Sequence, residues 1–245
     1  MEKKKRIRRT WTLLLTAVIL LLAFGISIYL LDYYHASEAA MAELEDGSET
    51  LEVMQEKDRI VFLPDHPKAG LIFYPGGKVA YEAYVPLLEA CAENGILCVV
   101  LQMPGNLAVL DQNAADGIQE AYPQIKSWYI GGHSLGGTIA AIYLGDHADE
   151  YDGLILLASY STTDLSESDL KVLSIYGSKD KVMNREKYEN SKSMLPPDFT
   201  EVIIAGGCHA YFGSYGHQSG DGTPTISPEE QQRQTVQEIT KFIVS

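Results

Sequence analysis

Cysteine is scarce in this chain and odd in number: Cys91, Cys98 and Cys208 are the only three in 245 residues. That is too few for a disulfide framework, and no pair has the spacing of metal ligands, so the fold is expected to stand on its core alone. Positive charge is also short, with 19 Lys and Arg against 33 Asp and Glu. Six of the basic groups and one acidic group lie in residues 1–31, so the remainder carries 13 against 32, a formal net charge of −19. No basic face is left to neutralise phosphates, which excludes nucleic acid as a partner. The acidity reads as solubility rather than as an acidic binding patch. Gly220-Asp221-Gly222 resembles a fragment of a calcium loop but lacks the run of carboxylates such a site needs. No metal and no cofactor are expected. Internal repeats and low-complexity tracts are absent as well.

A long apolar run is present, once. Lys3-Lys4-Lys5-Arg6 and Arg8-Arg9 precede an uncharged stretch from Trp11 to Leu31, closed by Asp32. As a helix it is long enough to cross a hydrocarbon core of about 30 Å. With the basic cluster on its N-terminal side, the N-terminus is expected in the cytoplasm and everything after Asp32 outside, at the cell membrane. A cleaved signal peptide is the rival reading, and Ala40-Met41-Ala42 offers an A-x-A site. The apolar run exceeds the roughly 7 to 15 residues of a secretory core, and that site lies well past its end, so an uncleaved signal-anchor is favoured. The expected organisation is a basic tail at 1–10, a transmembrane segment at 11–31, a linker at 32–50 rich in Ala and Glu, and one catalytic domain at 51–245, large enough for one substantial core.

Within that domain, short strands alternate with helices. Val53 to Gln55 and Arg59 to Leu63 read as two strands, Leu71 to Tyr74 as a third that is fully apolar, and Ile96 to Leu101 as another. Tyr81, Tyr84, Val85, Leu88 and Cys91 fall at helical spacing between the last two, which makes a βαβ unit. Leu107 to Ala121 is a second helix candidate. Strands are expected at Trp128 to Ile130, Gly153 to Leu157, Lys171 to Tyr176 and Glu201 to Ala205. Helices are expected at Thr138 to His147, Arg185 to Met194 and Pro228 to Val244, the last with Pro228 in its first turn. This alternation predicts an α/β fold, a mostly parallel doubly wound sheet with helices on both faces.

The chemistry concentrates at Gly132-His133-Ser134-Leu135-Gly136, which satisfies G-x-S-x-G with a strand before it and a helix after it. In such a nucleophile elbow, strand and helix come so close that a Cβ two residues before or after the serine would clash. The serine hydroxyl is exposed there, and the helix N-terminus points its amides at the place where an oxyanion would form. A serine needs a base, and the base needs a carboxylate to orient it. In doubly wound sheets such partners collect at the carboxyl ends of strands. Asp180 follows the strand at Lys171 to Tyr176, and His209 follows the strand at Glu201 to Ala205. The order Ser134, Asp180, His209 is the order that accompanies this elbow. Asp164 is the alternative acid and His217 the alternative base. His133 reads as packing and Cys208 as a buried neighbour, with no base of its own.

The combination of Gly132-His133-Ser134-Leu135-Gly136, Ile175-Tyr176-Gly177-Ser178-Lys179-Asp180 and Gly206-Gly207-Cys208-His209 resembles the α/β-hydrolase fold superfamily over roughly Leu51 to Ser245. More narrowly it is similar to compact, lid-less bacterial serine hydrolases, loosely to dienelactone hydrolases. Those use a cysteine nucleophile, so Ser134 argues against carrying over their activity. The resemblance implies an oxyanion hole made by the backbone amides of Leu135 and Gly77, the latter in Pro75-Gly76-Gly77, with Lys78 as the fallback. Tyr211, Phe212 and Lys78 are candidate pocket residues. The expected activity is hydrolysis of a carboxylic ester or related small-molecule acyl substrate through a covalent acyl-enzyme. An acyltransferase or amidase-peptidase on the same three residues, and a non-catalytic surface binding module, are the competing classes. Only 13 residues, Ala158 to Leu170, separate two strands where large lipases carry a cap, and they are polar. A shallow site for short or compact acyl groups is therefore expected.

Overall fold

The computed structural model describes residues 2–244. Met1 and Ser245 lie outside the described residues, as do the side chains of residues 2–8 and 30, so the basic cluster from Lys3 to Arg8 is described only as helical backbone. The chain forms two units, residues 1–33 and 34–245. The first is a single helix, α1 (Glu2–Leu31), in which Arg9–Tyr29 has a mean hydropathy of 2.4 and is long and apolar enough to cross a membrane.

The second unit begins with α2 (Glu38–Asp46) and continues β1 (Leu51–Gln55), β2 (Arg59–Pro64), β3 (Ala69–Tyr74), α3 (Val85–Glu93), β4 (Ile96–Leu101), α4 (Ile118–Ala121), β5 (Trp128–His133), α5 (Leu135–His147), β6 (Gly153–Leu157), β7 (Lys171–Gly177), α6 (Arg185–Ser191), β8 (Thr200–Ile204) and α7 (Pro228–Val244). The strands form one sheet in the order β1-β2-β4-β3-β5-β6-β7-β8. The β1–β2 and β2–β4 pairs are antiparallel, and every other pair is parallel.

Alternation along the strands builds two cores. Leu71 and Phe73 of β3 face one side, with Leu87 and Leu88 of α3 and Ile239 of α7. Ile72 and Tyr74 face the other, with Ile139, Ala140 and Leu144 of α5. Every residue of β3, β4, β5 and β6 is buried, as a sheet covered on both faces requires. Each such Leu, Ile or Phe contributes about 1.5–3 kcal/mol. The helices after neighbouring strands β3 and β5 thus pack on opposite faces, which opens a crevice between the carboxyl ends of those two strands. Tyr74 is opposite Gly132, and His133 is opposite Leu157, so the loops that follow emerge on one edge.

One expectation is corrected. Leu107 to Ala121 is not one helix but a single 3-10 turn at Ala108–Leu110, a looped stretch and the four-residue α4. Gly117 at φ 75° breaks the run, and the phenol of Tyr74 reaches in to bond Gln112 O at 2.6 Å and Ala115 N at 3.2 Å, competing for groups that a helix would use. The stretch 32–50 is partly helical. It carries α2, capped by Ser37 through Ala40 N at 3.2 Å, with Ala40 and Leu44 buried against the domain.

Candidate active site

Ser134 stands between β5 and α5 at φ 52°, ψ −121°. Backbone of this kind costs an L-residue about 1–3 kcal/mol and persists only where surroundings over-determine it. Here they do. A Cβ on Gly132 would run into the Tyr74 carbonyl and lie 2.7 Å from backbone atoms of Gly136 and Gly137, and one on Gly136 would strike the carbonyls of Tyr74 and Pro75. The Ser134 N–H donates to Leu157 O at 2.9 Å, and its carbonyl accepts from Ser159 Oγ at 2.6 Å. Among the described residues, the other non-glycines with positive φ are Lys78, Asn106 and Ala158. They follow β3, β4 and β6, so all the strain of this type lies on one edge of the sheet.

Asp180 and His209 meet on the same edge. His209 Nδ1 lies 2.8 Å from Asp180 Oδ2, and both side chains are 1% exposed. A carboxylate only accepts, so Nδ1 carries the proton, and Nε2 of the neutral ring offers its lone pair. That Nε2 is buried and has no hydrogen-bond partner. The second carboxylate oxygen of Asp180 is fixed by the amides of Val182 and Met183 at 2.8 and 2.9 Å. The two loops are joined to each other: Lys179 N bonds Gly207 O at 2.8 Å, and a Cβ on Gly177 would collide with Gly207. Asp221 bridges them further, accepting from Ala210 N at 3.0 Å and Lys181 N at 3.3 Å. Gln231 of α7 clamps the backbone of Cys208, accepting from its N–H at 2.9 Å and donating to its carbonyl at 2.8 Å. The His209 ring lies 4.7 Å from the ring of His133, the residue before Ser134, which brings base loop and elbow together.

Leu135 opens α5, so its amide belongs to the helix end whose N–H groups lack intrahelical acceptors. Gly77 packs on it, and a Cβ there would lie 3.0 Å from Leu135 Cδ2. The neighbouring amides are committed, Gly76 N to Tyr84 Oη at 3.0 Å and Lys78 N to Asn106 O at 2.7 Å. Gly77 therefore remains the candidate donor, and Lys78 is removed as its fallback. The loop is strapped from outside. Tyr34 N bonds Lys78 O at 2.7 Å, Ala80 N bonds Tyr34 O at 2.9 Å, and the Tyr34 phenol accepts from Ser219 N at 3.2 Å.

The remaining candidates fall elsewhere. Asp164 is exposed and caps its own turn through Ser166 N and Oγ at 3.1 and 2.7 Å, which lowers its pKa. His217 is exposed on the loop beyond. Phe212 is fully buried, 5.8 Å from the His133 ring, and forms packing rather than an open pocket wall. Tyr211 is half-buried. Burial, with the Asp221 carboxylate close by, pushes the Cys208 thiol up to about 12, so it stays protonated at neutral pH. Residues 158–170 contain no helix, and beside them Tyr160, Ser161 and Thr162 line a recess of about 300 Å³ with Lys187, Asn190 and Met194 of the α6 side. Sequence reading missed Tyr84, Ser159, Asp221 and Gln231. Only Gln231 left a trace, as a polar residue four and eight positions before the buried Thr235 and Ile239 on one face of α7.

A mostly parallel sheet with a strained serine at a strand-to-helix turn, and a histidine–carboxylate pair on the two loops beyond, is the framework of one hydrolase class. Residues 70–233 match the alpha/beta hydrolase family, and the chain belongs to it. No curated protein matches the chain. Among solved structures it is similar to the monoacylglycerol lipase of Paleococcus ferrophilus, at 15% identity and a TM-score of 0.58 over 78% of this chain and 99% of that one. Est1E from Butyrivibrio proteoclasticus is similar at 13% identity and 0.56, over 80% and 100%. A thermostable esterase from Pseudomonas putida is similar at 12% and 0.58, over 84% and 88%. At such identities the likeness concerns the fold.

Proposed function

We propose that the protein is a serine hydrolase that cleaves a carboxylic ester of a small molecule through a covalent acyl-enzyme, held at the cell membrane by Arg9–Tyr29 with its catalytic domain outside. The observation that carries this reading is the His209–Asp180 contact of 2.8 Å, with the opposite ring nitrogen, Nε2, unpartnered and the His209 ring 4.7 Å from that of His133, the residue before Ser134. His209 takes the Ser134 proton as the hydroxyl attacks the acyl carbon, and returns it to the leaving alkoxide as the ester C–O bond breaks. Asp180 keeps the imidazole in one tautomer and stabilises the imidazolium. The amides of Leu135 and Gly77 hold the oxyanion, where one donor is worth about 2.7–4 kcal/mol. Water, activated by His209, then releases the acid. The esterases and lipase among the similar structures support the ester as substrate. The test is labelling with a fluorophosphonate probe: wild type is expected to react at Ser134 and Ser134→Ala to stay unlabelled. An unlabelled wild type, or a Ser134→Ala variant that still labels and cleaves esters, would sink the assignment.

A further inference from the structure

His133 is bonded on both ring nitrogens, which is more than packing requires. Nε2 lies 3.0 Å from the carbonyl of His209 and Nδ1 lies 2.8 Å from the phenol oxygen of Tyr84, which in turn lies 3.0 Å from Gly76 N. Every proton in this chain can be assigned. A carbonyl only accepts, so Nε2 carries the hydrogen, and Nδ1 must accept from the Tyr84 hydroxyl. The Tyr84 oxygen then accepts from the Gly76 amide. His133 is fully buried, and burial together with the nearby His209 holds its pKa well below the usual range, so this one neutral tautomer persists. Gly76 carries a second, independent mark of the arrangement. A Cβ there would lie 2.7 Å from His133 Nδ1 and 2.8 Å from the Tyr84 oxygen, so the residue is side-chain-free where the Tyr84–His133 bond passes under it.

We infer that Tyr84 and His133 are positioning residues of the hydrolase: one directed chain, Gly76 N–H to Tyr84 O–H to His133, and His133 N–H to the His209 carbonyl, fixes the oxyanion loop and the base loop at a set spacing on either side of Ser134. The chain starts one residue before the Gly77 donor and ends on the backbone of the base, and its central member is the residue before the nucleophile. It thereby ties the three parts that must be in register when the tetrahedral intermediate forms. It also commits the Gly76 amide away from substrate, which leaves the hole to Gly77 and Leu135. The inference rests on the serine hydrolase reading above. It acts through geometry, and a displacement of about 1 Å in such a site can cost about a hundredfold in rate.

The test uses the full-length protein and measures the rate constants of fluorophosphonate labelling and of ester acylation, each well below the melting midpoint of every variant. Tyr84→Phe removes one oxygen and keeps the ring, which lies 5.1 Å from Phe73, so it is the primary variant. Tyr84→Phe and His133→Leu are expected to slow acylation about ten- to hundredfold with little change in KM. Because both break the same chain, the double variant should be no slower than the slower single one. His133→Gln, which can still accept from Tyr84 and donate to the carbonyl, should recover much of the loss. Acylation by folded Tyr84→Phe within about twofold of wild type would overturn the inference, as would single losses that multiply in the double variant. Ser134→Ala separates the two levels. If it is dead while Tyr84→Phe is normal, only the positioning chain is wrong, whereas a Ser134→Ala variant that labels removes the reading beneath it.

Discussion

Asp180 spends both of its oxygens, one on His209 and one on the amides of Val182 and Met183, and nothing in that arrangement tolerates a donor in place of an acceptor. Asp180→Asn is therefore expected to present an NH2 to a ring nitrogen or to an amide and to force the wrong histidine tautomer, lowering kcat by roughly 10⁴-fold with a modest change in KM. Asp164→Asn alters a solvent-exposed turn and should stay within about twofold of wild type, and steady-state kinetics on one chromogenic ester compares them directly. Equal losses would mean that the acid is misassigned. The residues that sequence made legible, Ser134, Asp180 and His209, are those that glycine spacing and position after a strand mark locally. Tyr84 is 49 positions from His133 and Gln231 is 23 from Cys208, and nothing near either in the chain says what it will touch. Their roles exist only once the loops have closed.

At the level of elements, strands buried on both faces were legible from their apolar runs: Ile96 to Leu101 and Gly153 to Leu157 are found as read, while β3 begins two residues earlier and β5 runs three residues further, through Gly131-Gly132-His133, where the apolar run has ended. The segments decided by tertiary contact were not, and α2 is the instructive case. Its Ala and Glu content, with no clear apolar stripe, suggests a partly helical linker and no docked face, yet it docks Leu44 and brings Glu43 into hydrogen-bonding contact with Glu89 of α3. Burial, with the charges of Glu89 and Glu93, raises the Glu43 pKa to about 7. The folded protein therefore keeps a proton that the unfolded chain gives up near the ordinary carboxyl value. The resulting stabilisation is complete at lower pH and is lost as pH climbs through about 7. Amide exchange in α2 should accordingly speed up between about pH 5 and 8 by more than the intrinsic rate, and Glu43→Gln should remove that excess. An unchanged pH profile in the variant would place the titration elsewhere.

The whole molecule combines an acidic, cap-less domain with one apolar helix. With no helix in residues 158–170, where a cap would have to form, substrate is expected to need nothing to open before it enters. Hydrolysis should favour short-chain over long-chain esters, with no jump in rate as the ester passes from monomers to micelles; strong activation on aggregated long-chain ester would require a cap formed elsewhere. Protease added to intact cells should release the catalytic domain by cutting near residues 45–50, where the chain is mostly exposed. Protection until lysis would contradict the outward assignment. That cut has a further effect, because it falls on the far side of Tyr34. Tyr34, which bonds Lys78 and Ala80, is then no longer joined through the chain to the released fragment, and the fragment is expected to hold the loop at Gly77 less firmly. On the proposed function, a fragment shed by such a cut is expected to hydrolyse ester more slowly than the intact protein, so that release from the membrane also lowers activity.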